Sequence, residues 1–148
     1  MIPFSITVSY MNGRADGPIR VESNPNITLY QIPRNSVNEL ADKRELKWPG
    51  IYFLVNEDIR TVYVGQGTQR EDGDGVLRRM LEPHSSQKID NWDVGFVLLG
   101  CSRNFLGVME LNYLERFFYD RAKNVNRYEV LNKNRPPYVH VDTAKKQL

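Results

Sequence analysis

The feature that most constrains the fold is a pair of β-rich tracts only five residues apart. Residues 50–55 read Gly-Ile-Tyr-Phe-Leu-Val and residues 61–65 read Thr-Val-Tyr-Val-Gly, with Asn-Glu-Asp-Ile-Arg between them. β-Branched and aromatic side chains suit a pleated, half-buried surface. A link this short closes an antiparallel hairpin, whereas a parallel crossover needs about a dozen residues or more. Residues 93–99, containing Gly-Phe-Val-Leu-Leu, read as a third and buried strand.

The remaining tracts are placed around that hairpin. Residues 76–82 predict a short helix, with Asp74 as its cap and Pro83 as its stop. Residues 104–122 predict a long helix, and residues 127–132 a short strand or turn before Arg135-Pro136-Pro137. Upstream, residues 5–10 and 27–32 read as strands, and residues 35–46 as a short helix capped by Asn35 or Ser36. The expected class is α/β (α+β in some schemes). It has a small, mostly antiparallel three-stranded central sheet flanked by helices. Residues 1–48 add an N-terminal hairpin and helix extension packed on the core, since fewer than about 50 residues make a marginal core alone.

Composition narrows the function classes. A chain of 148 residues fits one domain. The single cysteine, Cys101, has no partner for an internal disulfide, which points to a reducing compartment. No apolar run approaches the ~18 residues of a membrane span, and residues 1–10 lack the basic and apolar regions of a signal peptide. The expectation is a cytoplasmic protein with no membrane partner. One Cys and two His are too few for a zinc site, and Gly65-Gln66-Gly67 is not a dinucleotide fingerprint. A Cys101/His84 or Cys101/His140 hydrolase is set aside because Cys101 ends an apolar strand, where burial is expected, and a buried thiol is normally inert.

The formal charge of +2 conceals an asymmetry. Residues 121–148 carry seven basic and two acidic residues, a balance of +5 that leaves −3 on the first 120. A basic segment can neutralise phosphates, with affinity from counterion release; the ordinary alternative is a solubilising terminus.

Two short signatures flank the hairpin: Gly50-Ile51-Tyr52 and Tyr63-Val64-Gly65, with ten residues between the tyrosines. They resemble the GIY-YIG nuclease superfamily, with Val64 in place of the more usual Ile. Later motifs follow in the family's order. Gly75-Val-Leu-Arg-Arg-Met80 is similar to its arginine helix, pointing to Arg79 with Arg78 as the rival. His84 stands near the family's histidine. Tyr113-Leu114-Glu115 resembles the metal-binding helix, and residues 127–132 the segment ending in an asparagine, here Asn132. The likeness covers about residues 50–135, dividing the chain into the extension 1–48, a nuclease-like domain 49–135 and a basic C-terminal tail 136–148. The segment Ile32-Pro33-Arg34-Asn35-Ser36 also resembles a subgroup of bacterial proteins that carry this domain without assigned chemistry. The loop after Gly65 is longer and more acidic than in most relatives.

The resemblance implies a metal-dependent endonuclease that hydrolyses phosphodiester bonds in DNA. Tyr52 is then the general base, Tyr63 its partner, Arg79 the electrostatic clamp, His84 a proton-transfer group and Glu115 the ligand of a single Mg²⁺ or Mn²⁺. Gly50, Gly65, Arg78 and Asn132 are supporting. Hard oxygen ligands suit these ions, and a forked guanidinium suits the charge that builds on phosphate. Helical spacing adds independent support for the carboxylate. Val108, Leu111, Glu115, Phe118 and Ala122 recur at helical intervals, so Glu115 lies on an apolar stripe, where a carboxylate needs a partner. Glu110 lies off it. Each residue has an ordinary alternative: a strand tyrosine packs with a wet hydroxyl, and a stripe glutamate pairs with an arginine. The alternative function is a catalytically weak or inactive nucleic-acid-binding module of the same fold. No targeting domain is evident, so sequence specificity is weak, built into residues 1–48 and the 66–75 loop, or borrowed from a partner protein. DNA against RNA is left open.

Overall fold

The computed structural model describes residues 5–23, 27–68, 75–82, 91–132 and 135–136. His84, His140, Asp74, residues 69–74 of the acidic loop and almost all of the basic tail lie outside those residues.

The hairpin forms as its sequence requires. β4 (Gly50–Asn56) and β5 (Thr61–Gly67) pair antiparallel, with Tyr52 opposite Gly65 and Leu54 opposite Tyr63. Asn56 Oδ1 accepts from the backbone N–H of Asp58 and Ile59, the local bond by which asparagine shapes a turn. β6 (Val94–Gly100) lies antiparallel on the other side of β4.

The sheet is larger than the expected three strands. β1 (Ile6–Tyr10), β2 (Ile19–Ser23) and β3 (Ile27–Pro33) form an antiparallel meander, and β3 pairs with β6 from Ile27–Gly100 to Pro33–Val94. With β7 (Glu129–Val130) parallel to β5, the described residues form one mixed seven-stranded sheet in the order β1-β2-β3-β6-β4-β5-β7. The sequence pattern concealed this in two ways. β3 finds its second partner far along the chain, and β2 is short, its apolar residues being only Ile19 and Val21.

Residues 35–46 also differ from expectation. They fall in two 3₁₀ helices, Arg34–Leu40 and Arg44–Lys47, and the first is preceded by Pro33, with no side-chain cap from Asn35 or Ser36. In the first, Ser36, Val37 and Leu40 are buried, with the two apolar residues three apart as a 3₁₀ turn places them; Leu46 is buried in the second.

α1 (Gly75–Leu81) matches the expected short helix. α2 (Val108–Val125) starts later than residue 104, after Gly107 donates its N–H to Glu110 Oε1 at 2.9 Å. That capping bond is the role of Glu110. α2 ends at Asn126 in the left-handed conformation.

The sheet is covered on both faces. Tyr30, Ile32, Tyr52, Leu54, Val97 and Leu99 share one core with Val37, Leu40 and Leu46 of the 3₁₀ helices and Val76, Leu77 and Met80 of α1. On the opposite face Ile51 and Val64 pack with Leu111 and Leu114 of α2, and Val55 and Val62 with Tyr119. Adjacent residues of β4 thus alternate between α1 and α2, as the two-residue period of a strand demands. Val108 is corrected as the first member of the apolar stripe on α2: it is 64% exposed, and burial begins at Leu111. Among the described residues, no helix is long and apolar enough to cross a membrane.

Candidate active site

The site forms where, among the described residues, β5 loses its outer neighbour. β7 pairs with β5 at Thr61 and Val62 alone. Asn132 then substitutes for a third rung: its Oδ1 accepts from Val64 N–H at 3.1 Å, and its Nδ2 donates to Val64 O at 2.7 Å. A side-chain amide reproduces the donor and acceptor of a peptide, so Asn132 ends the ladder without leaving Val64 unpaired. Beyond it the edge of β5 carries Gly65, Gln66 and Gly67.

Two glycines make the packing there possible. A Cβ on Gly65 would lie 2.4 Å from Tyr52 Cζ and 2.5 Å from Tyr52 Oη, so the ring of Tyr52 occupies the space a side chain would take. A Cβ on Gly67 would lie 2.5 Å from Val76 Cα and 3.2 Å from Arg79 Cβ, so α1 lies directly against the end of β5. α1 is held by the bond from Val76 N–H to Trp48 O at 3.0 Å and by Gly75, whose φ of +64° brings the backbone against Lys47. Gly50 leaves room for Leu98 O and Leu99 on β6, so its constraint belongs to the sheet.

Tyr52 is 1% exposed; Tyr63 is half-buried and points to the same face, their ring centroids 6.2 Å apart and 27° from parallel. The hydroxyls of Tyr52 and Tyr63 are hydrogen-bonded to one another. Arg79 comes from α1, with Nη1 at 2.9 Å from Glu82 Oε2. Glu115 is half-buried on α2 and accepts a hydrogen bond from Gln66.

The electrostatics tie these residues together. Burial, then the charge of Tyr63, pushes the Tyr52 hydroxyl well above its ordinary value; Glu115 and Glu82 add to the rise, and Arg79 opposes it. Tyr63 is raised by burial and by Glu115, and eased by Arg79 and by the bond with Tyr52. The Glu115 carboxyl is raised by burial and eased by Gln66 and Arg79. Arg79 thus acts on both phenols and on the carboxylate, whereas its neighbour Arg78 is exposed. Tyr52, Tyr63, Arg79 and Glu115, taken from four elements, lie within electrostatic reach of one another.

Three partners of this group carry little signal in the sequence. Gln66 Nε2 donates to Asn112 Oδ1 at 2.6 Å, while Gln66 Oε1 is buried with no hydrogen-bond partner. Glu82 pairs with Arg79. Period-two alternation could have marked Gln66, which takes its place in the line of the apolar Val62 and Val64. Among the described residues, no three His, Cys, Asp or Glu are grouped to hold a metal. One carboxylate beside an orphaned amide oxygen fits a hard divalent ion that keeps most of its water.

No family model, no curated protein and no solved structure matches the chain.

Proposed function

We propose that the chain is a divalent-metal-dependent endonuclease that hydrolyses phosphodiester bonds in DNA by a GIY-YIG-type mechanism. The observation that supports this reading is the convergence of Tyr52, Tyr63, Arg79 and Glu115, which are far apart in sequence and act on one another's protonation. Structural tyrosines in a sheet have no need of an arginine from one helix and a half-buried carboxylate from another.

Burial divides the work between the two phenols. Tyr52 is almost wholly enclosed and hydrogen-bonded to Tyr63, so it orients its neighbour; Tyr63, half-buried, is the phenol that meets the attacking water. This reverses the roles expected from the motif order. Starting from the Tyr63 phenolate, the water's oxygen forms the new bond to phosphorus as its proton passes to the Tyr63 oxygen and restores the phenol, and the bond from phosphorus to the leaving oxygen breaks. The leaving oxygen takes a proton from solvent or from His84. Arg79 neutralises charge gathering on the non-bridging oxygens, a role in which a fixed guanidinium needs no reorganisation. Glu115 would hold the Mg²⁺ or Mn²⁺, which when bound supplies further neutralisation of the phosphate.

The test is nicking of supercoiled plasmid by the full chain with Mg²⁺ or Mn²⁺, beside Glu115→Ala, with DNA binding measured in parallel. Nicking by the wild type and its loss in Glu115→Ala, with binding retained, is the expected result. Equal inactivity of both proteins with intact binding would replace the enzyme by a binding module. The same assay on RNA decides the nucleic acid.

A further inference from the structure

The amide of Gln66 is spent in an unusual way. Its Nε2 donates to Asn112 Oδ1 at 2.6 Å and a bond from the same side chain reaches Glu115, so its donors are directed at α2. Its acceptor is left over. Gln66 Oε1 is buried and has no hydrogen-bond partner among the described residues. An amide oxygen buried without a donor costs about 1–3 kcal/mol. The wiring is also over-determined. Asn112 and Glu115 stand one turn apart on α2, and Gln66 sits across from them on β5, on the α2 side because it pairs with Ile51. Gln66 is thus tied to both Asn112 and Glu115, and its oxygen is the one polar atom of its amide left without a partner among the described residues.

We infer that Gln66 Oε1 is a second protein oxygen of the divalent-cation site, with Asn112 bracing Gln66 in the orientation that presents it. The inference rests on the endonuclease reading of the same site and adds to it a ligand and a positioning residue. The chemistry suits a small hard ion. A neutral carbonyl-type oxygen beside one carboxylate satisfies Mg²⁺ or Mn²⁺ without a second negative charge, leaving the other positions to water and to the phosphate. It also accounts for the orphan: the acceptor lacks a donor because its partner is a cation or the water that cation carries. Asn112 acts through Gln66 and touches no reacting atom, the kind of outer contact whose loss weakens metal binding.

The experiment measures Mn²⁺ binding directly, without substrate, by electron paramagnetic resonance titration of the full chain. Thermal unfolding is followed with and without Mn²⁺. Wild type, Gln66→Leu, Gln66→Glu and Glu115→Ala are compared. Wild type is expected to take up one Mn²⁺ and Glu115→Ala to lose it. Gln66→Leu should bind about 10–100-fold more weakly, the usual cost of disturbing an outer or accessory ligand. Gln66→Glu should bind more tightly than wild type and gain more from Mn²⁺ in melting temperature, because two facing carboxylates repel until a cation joins them. If Gln66→Leu binds as wild type does while Glu115→Ala fails, the ion rests on Glu115 alone and the assignment of Gln66 is overturned. If wild type itself takes up no Mn²⁺, the metal-dependent reading falls and this inference with it. Should Gln66→Leu not fold, Gln66→Glu decides: binding equal to or weaker than wild type overturns the proposal.

Discussion

Replacing Gly65 with alanine tests the packing that sets the whole site. The new Cβ would stand 2.4 Å from Tyr52 Cζ. Carbon atoms in good contact lie about 3.5–4.0 Å apart, so the ring must retreat by about 1 Å. It has nowhere to retreat to, since Tyr52 is 1% exposed and belongs to a core with Leu54, Val76, Met80 and Val97. Forcing extra volume into such a core costs about 1–3 kcal/mol, read as a lower midpoint in urea at unchanged slope. Under the endonuclease reading the hydroxyl of Tyr52 moves with the ring, and a displacement of ~1 Å lowers plasmid nicking by about 100-fold. Tyr52→Leu supplies the control, because leucine lacks the three atoms that collide. In that background Gly65→Ala should be neutral or stabilise by up to about 0.5–1 kcal/mol, as alanine normally does over glycine in a strand. The two substitutions must therefore be non-additive by about 1 kcal/mol or more. A wild-type midpoint for Gly65→Ala, or the same cost in both backgrounds, would refute the argument.

Asn132→Ala leaves Val64 N–H and Val64 O without their partners, and should cost about 1–3 kcal/mol while accelerating hydrogen exchange at Val64; unchanged exchange there would remove Asn132 from the strand edge. Glu115→Gln should raise the melting temperature of the metal-free protein at pH 7. Burial raises the Glu115 carboxyl above its unfolded value, so the stability it contributes is present below that value, near pKa ~4.3, and is lost as pH rises through the folded one. The advantage of glutamine should fade in acid, and Mn²⁺ should stabilise only the wild type; a lower melting temperature for Glu115→Gln at pH 7 contradicts this. Arg79→Ala should reduce nicking by about 10²–10³-fold with DNA binding retained, and Arg78→Ala by far less; the reverse order would identify Arg78 as the clamp. Both phenols are held above their ordinary value, so wild-type nicking should rise about tenfold per pH unit from pH ~6 to ~8.5 as phenolate becomes available. A flat profile rules out a tyrosine base.

What the sequence disclosed was set by local chemistry. The β4–β5 hairpin, β6, α1 and α2 are each written in a short window: alternating β-branched residues, a five-residue link, an apolar stripe at helical spacing. The breadth of the sheet depends on long-range pairing. β3 carries the same apolar signal whether its second partner is another early strand or, as in the fold, β6, more than sixty residues on. The 3₁₀ segments failed for a related reason. Val37 and Leu40 suit either helical period, and only burial of Leu46 together with a break at Ala41–Lys43 decides between them. At the site, charged and aromatic residues in recognisable motifs could be named in advance. Gln66 carries a weaker signal: alternation sets it in line with Val62 and Val64, but an uncharged amide shows no role until its neighbours across space are known.

The placement of these groups follows from a constraint on sheets. Side chains on opposite faces are separated by the backbone layer and cannot meet through it. Tyr52, Tyr63 and Arg79 belong to the α1 face, and Gln66 and Glu115 to the α2 face. They can act on one another only around an edge, and β5 offers one because β7 supplies just two rungs before Asn132 closes the ladder. A longer β7 would satisfy more backbone hydrogen bonds, yet it would place a strand between the phenols and the carboxylate. Among the described residues, the short strand and its asparagine stop thus forgo some pairing and leave no strand between the two faces at this edge. Gly65 and Gly67 serve the same end, removing side chains from the edge so that a ring and a helix can occupy the space.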